Sequence, residues 1–144
     1  MSAFQVKLPY RQGQLLLFLA NLTFMAVPAF ATDCEHLASL KIEHVTINTA
    51  EVVHGGSFKP ASGDPITGLP VFCRVAATLK PSQDSDIRIE VWMPEDSWNG
   101  RIEGTGNGGL AGTILYKSLA AGLQQGYAVA NTDMGMATPP GANP

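Results

Sequence analysis

RIEGTGNGGLAGT, residues 101–113, places five glycines in thirteen positions, and the use of that bare backbone decides how the chain is read. Upstream, IRIEVWMP (87–94) alternates strictly, with Ile87, Ile89, Val91 and Met93 on one side and Arg88, Glu90 and Trp92 on the other. That period of two predicts a strand. Arg101–Gly104 reads as a short strand running into the glycines. Downstream, TILYKSLAAGLQQ (113–125) sets Ile114, Leu115, Leu119 and Leu123 near helical spacing, and Gly126 suits the position just past a helix end. YAVANTD (127–133) reads as a further strand. Strand, glycine loop, helix and strand make a βαβ crossover, which should be parallel and right-handed.

Working further back, VFCRVAATLK (71–80) predicts a strand, and the polar run 81–85 turns it into 87–94 as an antiparallel hairpin. Residues 95–100 form another turn, with Asn99-Gly100 supplying backbone that tolerates positive φ. HVTINTAEVV (44–53) predicts a strand, and CEHLASLKI (34–42) a short helical turn with Asp33 as its N-cap. Residues 54–70 hold four glycines and three prolines and read as a long loop, one expected to carry part of a surface. An antiparallel hairpin leading into a parallel βαβ unit indicates an incomplete α/β sheet. Its last strand is expected to be unpaired at one edge as the chain runs out at Pro144, an arrangement that invites association.

Residues 1–31 stand apart. They begin with Lys7 and Arg11 and no acid, continue through an apolar run, and end in Ala29-Phe30-Ala31. This is the pattern of an export signal, with cleavage expected after Ala31. The run is short for a membrane span and is broken by Asn21, so no stable membrane association is expected afterwards. All 12 acidic residues lie beyond residue 31 with seven of the nine Lys and Arg, leaving 113 residues of net charge −5. An acidic chain without a basic cluster is a poor ligand for nucleic acid. In an oxidising compartment Cys34 and Cys73 are expected to bridge; two free buried thiols are the alternative. A loop of about 40 residues closed this way is worth roughly 4 kcal/mol on chain entropy alone. Three scattered histidines and two distant cysteines supply no metal-ligand spacing.

Three readings of the glycines compete. Gly104-x-Gly106-x-x-Gly109 after a strand, with Asp133 closing the next, has the spacing of a dinucleotide fingerprint. The helical pattern starts only near Thr113, however, which keeps a pyrophosphate from a helix N-terminus. A plain flexible turn is the second reading. The third is an oxyanion hole, in which a Gly-rich loop after an early strand offers backbone N–H groups to the oxygen that gains charge during acyl transfer.

The third reading meets a family resemblance. PVFCRVAATLKPSQDSDIRIEVWMPEDSWNGRIEGTGNGGLAG followed by LAAGLQQGYAVANTDMG resembles the amino-terminal part of the tannase and feruloyl esterase family, over most of the chain from Cys34 onward. WNGR, GNGGLAG and GYAVANTDMG, in that order, carry it. The resemblance implies a secreted serine esterase on an α/β-hydrolase fold, with 32–144 as its amino-terminal part. The substrates it implies are small esters of hydroxylated aromatic acids. A lid domain inserted later in such chains often holds calcium; no cofactor is implied for this segment. Gly108 and Gly109 match the loop that supplies the first oxyanion N–H, and Cys34 and Cys73 match the family's first, structural bridge.

The nucleophile that the resemblance requires, in a Cys-Ser-x-Gly-Gly stretch, does not occur in these 144 residues, nor does G-x-S-x-G. Ser57 lies in no such elbow, His36, His44 and His54 precede the parallel part of the sheet, and Asp133 reads as structural. The expectation is half an oxyanion hole in a piece of a longer esterase, inactive alone. A competing expectation is a secreted, non-catalytic module that grips a phenolic or sugar partner with the 54–70 loop and Trp92 or Trp98, although sheet and turn packing accounts for both tryptophans. The sequence leaves the oligomeric state open.

Overall fold

A computed structural model of the chain describes residues 33–61, 63–108 and 112–136; residues 1–31, read above as an export signal, lie outside them. After a 3-10 helix at Cys34–Ser39 come strands β1 (Val45–Val53), β2 (Gly56–Phe58), β3 (Ile66–Leu69), β4 (Phe72–Leu79), β5 (Ile87–Pro94) and β6 (Ile102–Gly104), then helix α1 (Tyr116–Gln124) and strand β7 (Ala128–Thr132). Five strands form one sheet in the order β1-β4-β5-β7-β6, and β2 and β3 form a separate hairpin.

The hairpin of β4 and β5 is antiparallel over its whole length, from Phe72 opposite Pro94 to Leu79 opposite Ile87. β6 and β7 are parallel, as a βαβ crossover requires. One expectation is corrected. β7 is not left with an open edge, because it inserts between β5, to which it is antiparallel, and β6. β7 is parallel to β6 and antiparallel to β5, so the sheet is mixed, and among the described residues β6 lies at its edge.

The 54–70 segment is corrected as well. It contains the β2–β3 hairpin, with Phe58 opposite Ile66, and its glycines serve that geometry: Gly55, Gly56 and Gly68 all have positive φ. Leu69 is buried, and Phe58 and Ile66 pack against the core. The hairpin is held to α1 by the Gln124 side-chain amide, which donates to the Gly68 carbonyl at 3.1 Å. Few residues here have strand propensity, so the ordering comes from burial of three apolar side chains.

The core lies on the Trp92 side of the sheet. Phe72, Trp92, Leu119, Leu123 and Val129 are fully buried there, with α1 and the small hairpin as cover. Trp92 stacks at 4.5 Å on Phe72 and meets Phe58 edge-on at 5.0 Å. The Ile87, Ile89, Val91 and Met93 side of β5 is only partly covered. Close approach of α1 to the sheet depends on Gly122, where a Cβ would run into Glu103 and Val129. Gly126, at φ 81°, ends the helix: its N–H donates to the Leu123 carbonyl (2.9 Å) and that of Tyr127 to Gly122 (3.1 Å), the Schellman arrangement. Helix α1 starts three residues later than the periodicity predicts.

Cys34 and Cys73 form a disulfide that ties the 3-10 helix to β4, with Cα atoms 5.5 Å apart. Asp33 does not cap this helix with its side chain; its carbonyl accepts from the His36 N–H instead. Removing the bridge by Cys34→Ala with Cys73→Ala is expected to cost about 2–4 kcal/mol. Urea denaturation of the double variant, compared with the oxidised protein, measures this.

Candidate functional site

The glycine loop leaves β6 at the carboxyl end of the parallel pair, the end at which open α/β sheets bind ligands. The end of β7 grips its first half. The Thr105 N–H and hydroxyl both donate to the Ala130 carbonyl, at 2.8 and 3.0 Å. The Asn107 Nδ2 donates to the Thr132 carbonyl. Asn131, 2% exposed, then joins the loop's two ends. Its Nδ2 donates to the Thr105 carbonyl (3.1 Å) and hydroxyl (2.8 Å), while its Oδ1 accepts from the Leu115 N–H at 2.8 Å. At the exit, Gly112 lies so close to the backbone of Met136 that no side chain fits there.

Between these anchors the glycines have a different meaning. Gly104, Gly106 and Gly108 adopt no positive φ, and a Cβ built on any of them meets nothing within 4 Å. Neither strain nor internal packing requires glycine there; what their absent side chains leave is open space beside the peptide groups. The Asn107 Oδ1 is buried and accepts no hydrogen bond among the described residues. Its orientation is set, since turning the amide over would face two oxygens at Thr132. Gly108 is exposed on this loop, and Gly109 lies outside the described residues.

Asn131 also carries a prediction. Asn131→Leu strands the Leu115 N–H and the Thr105 carbonyl and is expected to cost about 2–3 kcal/mol. Hydrogen exchange should quicken at residues 105–115 and stay unchanged in β1 and β4. Equal acceleration everywhere would show that Asn131 does not act on the loop in particular.

The helix that follows the loop rests on a buried ion cluster. The Glu90 carboxylate, 5% exposed at its side chain, pairs with Arg74. It accepts from the Arg74 Nε (2.9 Å), the Trp92 Nε1 (3.0 Å) and the Tyr116 hydroxyl (3.3 Å). Arg74 also donates to Glu51 at 2.8 Å and lies 5.0 Å from the Phe58 ring centroid. Burial works against the Arg74 charge, but the bonds to Glu90 and Glu51 outweigh it and hold the guanidinium above its ordinary pKa. Burial, and then the Glu90 charge, raise the Tyr116 phenol. A groove of about 530 Å³ is walled by residues of β1, β4 and β5 and reaches Ile114 and Tyr116; Gly106 and Gly108 are not among its walls.

Other candidates resolve simply. The Asp133 carboxylate is 2% exposed and accepts from the N–H groups of Arg88 (2.8 Å) and Gly135 (2.9 Å), which makes it structural. With that acid engaged and α1 starting at Tyr116, well past Gly104, Gly106 and Gly109, the dinucleotide reading loses its ribose ligand and its helix terminus. Ser57, His36, His44 and His54 are exposed and scattered over separate elements. Trp92 is fully buried, while Trp98 is 58% exposed, so only Trp98 offers a face to a partner. Among the described residues no three His, Cys, Asp or Glu side chains converge to hold a metal ion.

Comparison with known proteins places this arrangement. The tannase and feruloyl esterase family model matches residues 73–143, the stretch that contains the β4–β5 hairpin, the glycine loop and the crossover. Residues 73–143 belong to the tannase and feruloyl esterase family. Beyond the matched stretch, an uncharacterized esterase of Xanthomonas campestris is 40% identical over 102 residues, which cover 71% of this chain and 18% of the relative. Feruloyl esterase C of Talaromyces stipitatus is 37% identical over 114 residues, 74% of this chain and 21% of that protein. The crystal structure of feruloyl esterase B from Aspergillus oryzae superposes with a TM-score of 0.63 at 32% identity, covering 69% of this chain and 20% of that one. The mixed sheet is therefore part of an α/β-hydrolase-like fold, and the chain spans about a fifth of the length of these relatives.

Sequence reasoning placed the loop, the crossover and the bridge. It missed Asn131, Asn107 and Glu90. The available signal was the polar pair Asn131-Thr132 closing an otherwise apolar strand, where a buried amide must find partners.

Proposed function

We propose that this segment supplies the first half of the oxyanion hole of a secreted carboxylic ester hydrolase acting on esters of hydroxylated aromatic acids. Backbone N–H groups at Gly108 or Gly109 would face the carbonyl oxygen as a serine attacks. They would hold it while the acyl-enzyme forms and is hydrolysed. The observation that carries the reading is the loop itself: pinned at both ends to β7, open beside Gly106 and Gly108, in a chain related to feruloyl esterases.

Export belongs to the same proposal, with residues 1–31 removed after Ala31 and the Cys34–Cys73 bridge formed in an oxidising compartment. Because the nucleophile is not among these 144 residues, residues 32–144 alone should show no turnover of an aromatic ester. A burst of product abolished by a serine-directed inhibitor would overturn that expectation. The oxyanion role is tested by placing residues 73–136 in the matching position of feruloyl esterase C. Proline at 108 or 109 removes an N–H, and at the donating position it should lower kcat about 10²–10³-fold, whereas alanine retains the N–H and much of the rate. If neither proline changes kcat, the assignment falls.

A further inference from the structure

We propose that Asn131 is a positioning residue for the acyl-transfer step: from β7 it fixes the glycine loop so that the N–H at Gly108 or Gly109 is aligned with the reacting carbonyl oxygen. The inference rests on the oxyanion reading of the loop and adds to it the side chain on which the donor's aim depends.

Ala128, Val129 and Ala130 lead up to Asn131 in β7, and an amide buried after such a run is desolvated at a cost that its hydrogen bonds must offset. Leucine would fill similar space and suit a buried position better. Every side-chain hydrogen bond of Asn131 among the described residues goes to one segment. Its Nδ2 donates to the Thr105 carbonyl and hydroxyl, and its Oδ1 accepts from the Leu115 N–H. The amide fits only one way round, since the Thr105 carbonyl requires a donor and the Leu115 N–H an acceptor. A buried, fully satisfied amide that serves a loop and nothing else in the core specifies where that loop sits.

The support behind Asn131 is itself fixed. Asn131 stands directly opposite Glu90 of β5, and opposed residues of an antiparallel pair share one face of the sheet. Glu90 accepts from the Tyr116 hydroxyl, so the neighbours Leu115 and Tyr116 are held by a facing pair of buried polar side chains. Without Asn131, Tyr116, Leu119 and Leu123 still seat α1. The helix and the sheet would keep their places while the peptide units between Thr105 and Leu115 gain freedom. A misaligned N–H then stabilises the developing charge poorly, whereas binding of the unreacted ester makes no use of that alignment.

Kinetics of feruloyl esterase C carrying residues 73–136 test the role. Asn131→Leu should lower kcat about 10–100-fold and leave KM within about threefold. An arylboronic acid, whose adduct with the serine places charge where the oxyanion forms, should bind weaker by a similar factor. A non-reacting aromatic acid should bind as before. Thr105→Val removes the hydroxyl that links Asn131 to Ala130 and should lower kcat roughly threefold. Combined with Asn131→Leu it should add little, because the two changes remove a shared hydrogen bond. If Asn131→Leu does not fold, Thr105→Val carries the test by the same readouts. Unchanged kcat, or equal weakening of the boronic and the non-reacting acid, would overturn the positioning role. If proline at 108 or 109 lowers kcat and Asn131→Leu does not, that role alone falls; if neither proline has an effect, the oxyanion reading falls and takes it along. In the purified chain, hydrogen exchange at residues 105–115 no faster in Asn131→Leu than in wild type would overturn it whatever the graft shows.

Discussion

Arg74→Met is expected to destabilise the protein by about 3–5 kcal/mol. The Arg74 guanidinium lies between Glu90 and Glu51 with its side chain 18% exposed, and Glu90 is the more deeply buried partner. Methionine fills similar space but leaves the Glu90 carboxylate without a counter-charge, beside Trp92 and beneath α1. The cost is that of an uncompensated buried charge, which exceeds the net worth of the pair itself. Urea denaturation should show a lower midpoint with an unchanged slope. Adding Glu90→Gln removes the stranded charge and should recover a substantial part of the loss. If the double variant is as unstable as the sum of the two singles, Arg74 and Glu90 are not acting as a pair.

Trp92→Ala should cost a similar amount, about 3–5 kcal/mol. Trp92 is fully buried at the centre of the aromatic group formed with Phe58, Phe72 and Tyr116, and alanine would open a cavity lined by all three. Trp92→Phe keeps most of the packing and loses the hydrogen bond to Glu90, so about 1–2 kcal/mol is expected. Equal losses for the two would place the energy in the hydrogen bond instead of the ring. Because α1 rests on this group through Leu119 and Leu123, exchange of the helix amides should rise with the loss of stability.

Local pattern carried much of the fold. Strict alternation in 87–94, a short polar turn and a second strand at 71–80 suffice for a hairpin, because both register and facing depend on neighbours in the chain. Gly126 marks its helix end for the same reason. The position of β7 depends on contacts from residues 87–94 to 128–132, which no local window contains. The 54–70 hairpin was hidden by glycines and prolines that suit both loops and bent strands. At the glycine loop, the motif located the backbone but not its restraints: Asn131 and Asn107 act through side-chain hydrogen bonds to partners 16–26 residues away. Glu90 sat on the less apolar side of an alternating strand, where a solvated carboxylate is the ordinary expectation, and its burial follows from Arg74 on the adjacent strand.

The Asn131 carboxamide turns residues 105–115 into a closed ring, with one side chain as its clasp. Side chains introduced at Gly106 or Gly108, where a Cβ meets nothing within 4 Å, would thus alter the surface of the loop at little cost to folding.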